Sequence, residues 1–274
     1  MLKLITPPTV LPLHLDEVKQ HLREDLSEND GLINIYLQQA LEEAHNLTQR
    51  QMIAARYQYV INCFPACCID LPIEPLIQVV SIDYTDANGA AQTLPANNYV
   101  ITGDYSKISP AYNVTWPIAR LEAGAVKITF DAGYVAPAVA DITTDTVALT
   151  GWKTLQANDV LRFSNSGGIL PSPLKPKKDY YVKSVSSPGV YTLSATAGGT
   201  QIDLTDAGAG LHYAGQIGLN SSYGEVPAGI LSWLLLKTET LYSYRGGLVN
   251  TPGSVITKNP YMDCLLDPYR KMVI

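Results

Sequence analysis

The sequence has few of the residues that enzymes use for chemistry. Its 274 residues include four histidines, which are scattered and lie in no recognisable ligand or base motif: His14, His21, His45 and His212. The four cysteines form a C-x3-CC cluster with one distant partner, a spacing that fits no zinc site: Cys63, Cys67, Cys68 and Cys264. We therefore expect no catalytic residues, no metal and no cofactor, and we expect the cysteines to be buried free thiols.

Long apolar runs and basic runs are also absent. The apolar stretch around residues 234–236 is far shorter than the ~20 residues that span a bilayer. The first residues show no long apolar region or small-residue cleavage site, so we expect no secretion. The net charge is −6, and residues 1–135 carry eight Lys/Arg against fifteen Asp/Glu. Because Lys and Arg are nowhere concentrated, we expect no grip on DNA phosphates, although an acidic wall lets a polyanion pass.

The sequence does contain a clear change of character in the middle of the chain. Residues 1–135 and 223–274 carry apolar stripes at helical spacing, which predict helices over 16–23, 30–48 and 227–245. Short strands are predicted between them, over 57–63, 77–84 and 125–130. Residues 136–222 are rich in Thr, Ser, Gly and Asp, and alternation predicts strands over 146–149, 159–163, 180–185, 190–193 and 201–204.

This pattern predicts an α+β fold in which a small helical domain with a short β-sheet element is interrupted by an inserted all-β domain. The first part of the helical domain is residues 1–135, the insert is 136–222, and the second part is 223–274. The insert is expected to form a barrel or a sandwich. A domain tolerates such an insertion at an exposed loop, so we expect the rest of the chain to fold without it.

Several features favour binding over chemistry. Seventeen tyrosines against three phenylalanines suit protein–protein interfaces. Trp233 is predicted on a different helix face from Leu234 and Leu235, which makes it the candidate for an inter-subunit contact. The last segment has an apolar and aromatic set followed by positive charge, but its helix is too short to persist alone. We expect it to become ordered by docking, and its candidate anchors are Tyr261, Leu265, Leu266, Tyr269 and Arg270.

Acidic residues near the N-terminus form another candidate surface, either a solvated helix face or a functional electronegative patch. These residues are Asp16, Glu17, Glu24, Asp25 and Glu28.

Five motifs occur along the chain in a particular order. They are the helix start Leu15–Arg23, the strand ending in Cys63-Phe64-Pro65, the turn Ala132-Gly133-Tyr134, the helix from Val226-Pro227 to Arg245, and Leu265–Arg270. This ordered set resembles the head–tail connector (adaptor or head-completion) family of long-tailed bacteriophages, and it covers residues 1–135 and 223–274.

The resemblance implies a structural virion protein of the head–tail neck, made in the cytoplasm of the host bacterium. It implies a ring, commonly of twelve subunits, that lies beneath the portal, extends the DNA channel and presents a platform to the next neck, tail-terminator or stopper protein. The acidic residues would then face the channel, and the C-terminal arm would dock into the portal, unless it packs on its own subunit. DNA would pass without specific binding.

The inserted β domain departs from the family pattern, so its role is not implied by the resemblance. It is similar to a small β module that recurs in phage structural proteins. Two other function classes remain open at this stage. One is a carbohydrate-binding or decoration protein in which residues 136–222 are the functional part, and the other is an enzyme with a site built from scattered residues.

Overall fold

The computed structural model describes residues 1–102, 106–217, 224–244, 262 and 264–271. Within them the chain is α+β, as predicted, with three helices: α1 (Leu15–Leu22), α2 (Asp30–Thr48) and α3 (Ala228–Ser243). The strands are, in chain order, β1 (Leu2–Thr6), β2 (Ala55–Ile61), β3 (Ile69–Asp70), β4 (Leu76–Thr85), β5 (Ala91–Thr93), β6 (Tyr99–Thr102), β7 (Lys107–Pro110), β8 (Val126–Ala132), β9 (Ala136–Asp141), β10 (Thr146–Leu149), β11 (Val160–Ile169), β12 (Asp179–Ser187), β13 (Val190–Ser194) and β14 (Ala209–Gln216).

The first part of the chain contains two sheets that pack on each other. One has five antiparallel strands in the order β1-β2-β8-β4-β5, and the other has three in the order β3-β7-β6. Their shared core includes Phe130, Ile128 and Ile108, all fully buried. The β part is thus larger than the short sheet element expected from the sequence.

Strands β9 to β14 close into a six-stranded antiparallel barrel in the order β10-β13-β12-β11-β14-β9. Its interior is filled by large buried side chains, among them Leu161, Phe163, Tyr180 and Tyr191. The Phe163 and Tyr180 rings meet edge to face, with their centroids 5.8 Å apart. This packing makes the barrel a filled hydrophobic core, as small barrels are.

The three helices form a core of their own. Val18 of α1, Ile33 and Leu37 of α2, and Ile230 and Leu234 of α3 are all completely buried. In α2 these apolar positions recur at three- and four-residue intervals, so one stripe faces inward as the sequence predicted. None of the helices in the described part of the chain is long and apolar enough to cross a membrane.

The barrel shares residues with the cores around it. Tyr213 of β14 is buried in the helical core, and its hydroxyl donates a hydrogen bond to the carbonyl of Leu11 at 2.5 Å. Burial raises the pKa of this tyrosine, and the nearby Glu17 adds to the rise. Conversely, Ala54 and Ile77, which come from the first part of the chain, are buried in the barrel core. The barrel is therefore packed firmly on the rest of the chain.

The cysteine prediction is wrong. Cys63, Cys67 and Cys264 are exposed, and Cys68 is half-buried. Burial and the neighbouring Cys67 raise the pKa of the Cys68 thiol. The first three cysteines lie in the loop between β2 and β3, where the chain turns at the end of a sheet. A loop at this place is on the surface, so these cysteines are not buried as the inward-facing residues of the preceding strand are.

Candidate assembly surfaces

Helix α1 starts at a histidine cap. His14 has an extended backbone, with φ −74° and ψ 146°, and its Nδ1 accepts a hydrogen bond from the backbone N–H of Asp16 at 3.2 Å. Asp16 and Glu17 in the first turn lie at the positive end of the helix dipole. The helix ends where Arg23 adopts a left-handed conformation, with φ 55°. The cap and the left-handed end give α1 a defined length and direction, which place its acidic residues.

The five predicted channel-facing acids do not form one free surface. Three are exposed: Asp16, Asp25 and Glu28. The other two are half-buried and join elements of the subunit. The Glu17 carboxylate accepts a hydrogen bond from the Ser166 hydroxyl of the barrel, and the Glu24 carboxylate accepts one from the Tyr242 hydroxyl of α3 at 2.5 Å. Glu17 and Glu24 thus make contacts within the subunit, and the channel-facing role of the five acids stays a prediction.

The same part of α1 docks the barrel. The backbone N–H of His14 donates to the Ser166 hydroxyl at 2.7 Å, and that hydroxyl in turn donates to Glu17. Gly167, the next residue of β11, approaches the His14 side chain so closely that a Cβ atom there would lie 2.4 Å from Cγ. These contacts hold the barrel in one orientation relative to the helices.

The C-terminal segment packs on its own subunit. Leu266 is completely buried in the helical core, and Leu265 and Tyr269 pack partly against it. Arg270 is exposed and pairs with Asp267 at 2.9 Å, and the fifth predicted anchor, Tyr261, lies outside the described residues. The alternative of packing on the same subunit is thus the observed one, and docking elsewhere is wrong for Leu266 because its side chain fills the core.

A buried ionic network fixes this segment. The Glu74 side chain is only 5% exposed and lies 3.2 Å from a guanidinium nitrogen of Arg50 and 3.6 Å from Nζ of Lys271. Nε of Arg50 donates to the carbonyl of Tyr269 at 2.6 Å, and the backbone N–H of Lys271 donates to the carbonyl of Thr48 at 3.1 Å. Sequence reasoning missed this network because its members are far apart along the chain.

Trp233, the predicted inter-subunit residue, is completely buried. With Ile230, Leu234 and Thr238 it forms the inward stripe of α3. Trp233 follows Ile230 by three residues, and this helical spacing is the signal that could have placed it in the core. The Trp233 prediction is therefore wrong, because α3 buries a wide arc between the other helices and the C-terminal segment.

Two edge strands present apolar side chains that sequence reasoning did not single out. All five residues of β1 are exposed, including Leu2, Leu4 and Ile5. In β6 the exposed apolar residues are Val100 and Ile101. Because β1 and β6 each end a sheet in the strand order, both leave backbone hydrogen-bonding groups available for another chain.

A groove of about 650 Å³ runs beside β1. It lies between the Leu2 and Leu4 side chains, the face of α2 around Leu41 and His45, and the start of β2 at Tyr57. Burial lowers the pKa of His45, partly offset by the hydrogen bond to the carbonyl of Arg50, and burial raises the pKa of Tyr57 to about 12. Both rings are therefore neutral near pH 7, and the groove is lined by apolar side chains together with polar ones such as Glu42 and Gln38.

A second apolar surface lies on the loop 111–124. It carries three of the most exposed large apolar side chains in the described residues: Tyr112, Ile118 and Leu121. Beside Ile118, the rings of Phe64 and Trp116 are stacked with centroids 5.1 Å apart, and Trp116 Nε1 donates to the carbonyl of Cys67 at 3.0 Å. Exposed apolar groups on an ordered loop suit contact with another protein.

The histidines of the described chain are placed in structural contacts. Within them, no three His, Cys, Asp or Glu side chains cluster so that they could hold a metal ion. Of the four histidines, His14 caps α1, His21 pairs with Glu239 of α3 at 3.2 Å, and His212 contacts the carbonyl of Ala207 at 3.1 Å. Each of these histidines thus has a structural contact, and the surfaces that remain are suited to binding.

Comparison with known proteins gives a family match over part of the chain and a shared fold over all of it. Residues 12–82 match the family described as phage gp6-like head-tail connector protein, whereas no curated protein matches the chain significantly. A chain from the structure "Virion of native gene transfer agent (GTA) particle" superposes with a TM-score of 0.56 at 15% identity, over 100% of this chain and 97% of that chain. Because this likeness spans the whole chain, it includes the barrel.

Two further structures show the same fold. A chain from "Neck of empty GTA particle computed with C6 symmetry" also superposes with a TM-score of 0.56, and one from "Neck of native GTA particle computed with C12 symmetry" with 0.54. Both are 15% identical and cover 100% of this chain. The predicted resemblance to head–tail connectors is therefore confirmed, and residues 12–82 carry the match to the phage gp6-like head-tail connector family.

Proposed function

We propose that this protein is a structural component of the neck of a phage-like particle, where it joins the head to the tail. The observation that carries this proposal is the fold shared along the whole chain with chains from gene transfer agent particle structures. The family match over residues 12–82 supports the same role. The exposed apolar strand edges and loop 111–124 fit a protein that works by binding other proteins rather than by catalysis.

The proposed assembly is a ring, with twelve subunits as the expected number. Cyclic symmetry of sixfold and twelvefold order in the related neck structures supports a ring. The proposed partners are further copies of this chain, the portal above the ring, and a tail-terminator or stopper protein below it. Of the four predicted portal anchors among the described residues, Arg270 is the one with an exposed side chain, so contact with the portal would use the surface around Asp267–Arg270.

The proposed ring also extends the DNA channel. Asp16, Asp25 and Glu28 are exposed on and just after α1, and residues 1–135 carry fifteen acidic against eight basic residues. A surface with this charge repels the phosphate backbone and lets DNA slide. If these residues line the channel, DNA passes without being held.

The test is a particle that lacks this protein. Deletion of its gene is expected to give filled or partly filled heads that carry the portal but no tail, and addition of the purified protein to such heads should restore joined particles. Electron microscopy counts joined and unjoined particles directly. Tailed particles at the normal yield without the protein would contradict the proposed connector role.

A further inference from the structure

The open edges of β1 and β6 have matching backbone geometry. In β1 the N–H of Val60 donates to the carbonyl of Met1 at 2.8 Å, and antiparallel pairing alternates between bonded and non-bonded residue pairs. The pairs Leu2–Tyr59 and Leu4–Tyr57 are therefore the non-bonded ones. It follows that the N–H and C=O groups of Leu2 and Leu4 point away from the sheet.

The same reasoning applies to β6. The N–H of Ala111 donates to the carbonyl of Asn98 at 3.0 Å, which makes Tyr99–Pro110 and Ile101–Ile108 non-bonded pairs. The N–H and C=O groups of Tyr99 and Ile101 thus point outward. On each edge, the backbone groups of two residues point outward, and one residue lies between them. Antiparallel strands form hydrogen bonds at this two-residue repeat, so the two edges can pair with each other.

The two edges belong to different sheets, β1 to the five-stranded one and β6 to the three-stranded one. Strand β1 ends one side of the five-stranded sheet and β5 ends the other, and β6 follows β5 after the single short turn at Ala96–Asn98. Two different, complementary patches on one subunit make a head-to-tail contact, which generates a ring when the rotation closes. An edge that paired with itself would give only a two-fold dimer.

We propose that β1 of one subunit pairs antiparallel with β6 of the next, so that the sheets of neighbouring subunits join around the ring. This inference rests on the proposed ring and specifies its contact. Leu2 and Leu4 then lie opposite Ile101 and Tyr99 of the second copy, and apolar cross-strand pairs of this kind stabilise a sheet. Leu2 and Leu4 also line the groove beside α2, so the added strand covers that groove.

The occupant is a second copy because the two edges complement each other in several ways. Both are short, both are apolar, and β6 carries no charged residue while β1 carries only Lys3. Natural proteins protect free edges with charges, prolines or covering segments, and among the residues that the structure describes these two edges have little such protection. Pairing them with each other removes both exposed edges with one repeated contact.

Proline substitutions test the pairing without disturbing the subunit. Leu4→Pro and Ile101→Pro each remove an N–H that points outward, so the bonds to β2 and β7 remain. Ala91→Pro is the matched control. The backbone N–H of Asp86 donates to the carbonyl of Ala90 at 2.9 Å, so the N–H of Ala91 on edge strand β5 also points outward. Circular dichroism and thermal unfolding confirm that each variant is folded.

The decisive measurement is the mass of the assemblies in solution, by light scattering and native mass spectrometry. Wild type and Ala91→Pro should form rings, whereas Leu4→Pro and Ile101→Pro should each remain monomeric. An equimolar mixture of the last two variants should form one-to-one heterodimers, since one intact β1 meets one intact β6. Rings formed by either variant, or a mixture without heterodimers, would overturn the β1–β6 pairing and leave the connector role standing. Wild-type protein that stays monomeric at every concentration would contradict the self-assembling ring itself.

Discussion

At the scale of single residues, Glu74 links the C-terminal segment to the body of the subunit. Its carboxylate is buried between Arg50 and Lys271, which are far apart along the chain. Lys271 also pairs with Asp70, at 2.9 Å. Removing a charge from water costs free energy, which the attraction of oppositely charged partners offsets. The loss of one partner leaves the remaining buried charges without this attraction. The network therefore determines whether residues 264–271 stay in place.

Replacement of Glu74 by glutamine should destabilise the subunit by about 3 kcal/mol, because it leaves the partly buried Arg50 without its anion and Lys271 with Asp70 alone. The C-terminal segment should also become accessible to limited proteolysis. Urea unfolding and a protease time course measure the two effects. The control is Asp267→Asn, which removes only the exposed pair with Arg270 and should cost about 1 kcal/mol or less. Equal stability of the two variants would contradict the role of the network.

His45 predicts a dependence of stability on pH. Burial lowers its pKa below the ordinary value of 6.5, so the unfolded chain binds a proton more readily than the folded one. The contribution of neutral His45 is therefore complete above pH 6.5 and is lost as the pH falls from there towards the lowered folded pKa. Urea midpoints measured across this window should fall more steeply for wild type than for His45→Gln. Identical slopes would contradict the assignment.

At the scale of elements, the contact between β11 and α1 sets the orientation of the barrel. Gly167 has φ +73°, and a Cβ atom there would meet the His14 side chain. Gly198, in a barrel turn, has a similar φ of +67° but no atom within 4 Å of the Cβ position. The two glycines therefore carry the same backbone strain on substitution and differ only in the docking contact.

Gly167→Ala should cost about 1–3 kcal/mol more than Gly198→Ala, which is the usual cost of forcing extra atoms into a packed site. The difference in unfolding free energy between the two variants isolates the barrel–α1 contact. Thermal unfolding of both proteins under one condition gives this value. If Gly198→Ala were the more destabilising change, the barrel would not be docked through His14.

The elements differ in how well the sequence predicts them. Helix α2 was predicted over its observed bounds because its apolar stripe is regular, and β10 was predicted from local alternation. Strands β9 and β14, which close the barrel, were missed because their alanine, glycine and proline residues have low strand propensity. Their strand form depends on pairing with each other and with β10 and β11, which no local pattern reveals.

The candidate surfaces are also predicted only as far as local sequence patterns allow. The sequence identified the acidic residues around α1, but their division into exposed and bonded groups depends on Ser166 and Tyr242, which lie far away along the chain. Likewise, the short C-terminal helix was recognised as too short to stand alone, whereas its docking site on Arg50 and Glu74 appears only in three dimensions.

At the scale of the whole molecule, the helices, the two sheets and the barrel form one packed unit. The sequence predicted that an insert at an exposed loop would be dispensable for folding. The structure argues against this expectation, because Tyr213 of the barrel fills the helical core and Ser166 holds α1. The barrel therefore contributes to the stability of the helical part, which any connecting role requires.

Replacement of residues 137–221 by a short Gly/Ser linker should give a protein that aggregates or unfolds without a sharp transition. Loss of a buried aromatic side chain such as Tyr213 costs about 3–5 kcal/mol, which is a large part of the 5–15 kcal/mol typical of a domain. Circular dichroism during heating measures the temperature and the sharpness of the unfolding transition. The control, Tyr213→Phe, removes only the hydroxyl bond to Leu11 and should cost about 1 kcal/mol. A deletion variant that unfolds cooperatively near the wild-type temperature would contradict the packed unit.

The central claim is that this chain forms a connecting ring in the neck of a particle. The most direct test is a cryo-electron microscopy reconstruction of the head–tail junction of the particle that carries its gene, calculated with cyclic symmetry. The account predicts a ring of these subunits around the DNA channel, between the portal and the tail, with the barrel and the helices recognisable in each copy. A neck reconstruction fully explained by other proteins, with this chain absent or found elsewhere in the particle, would contradict it.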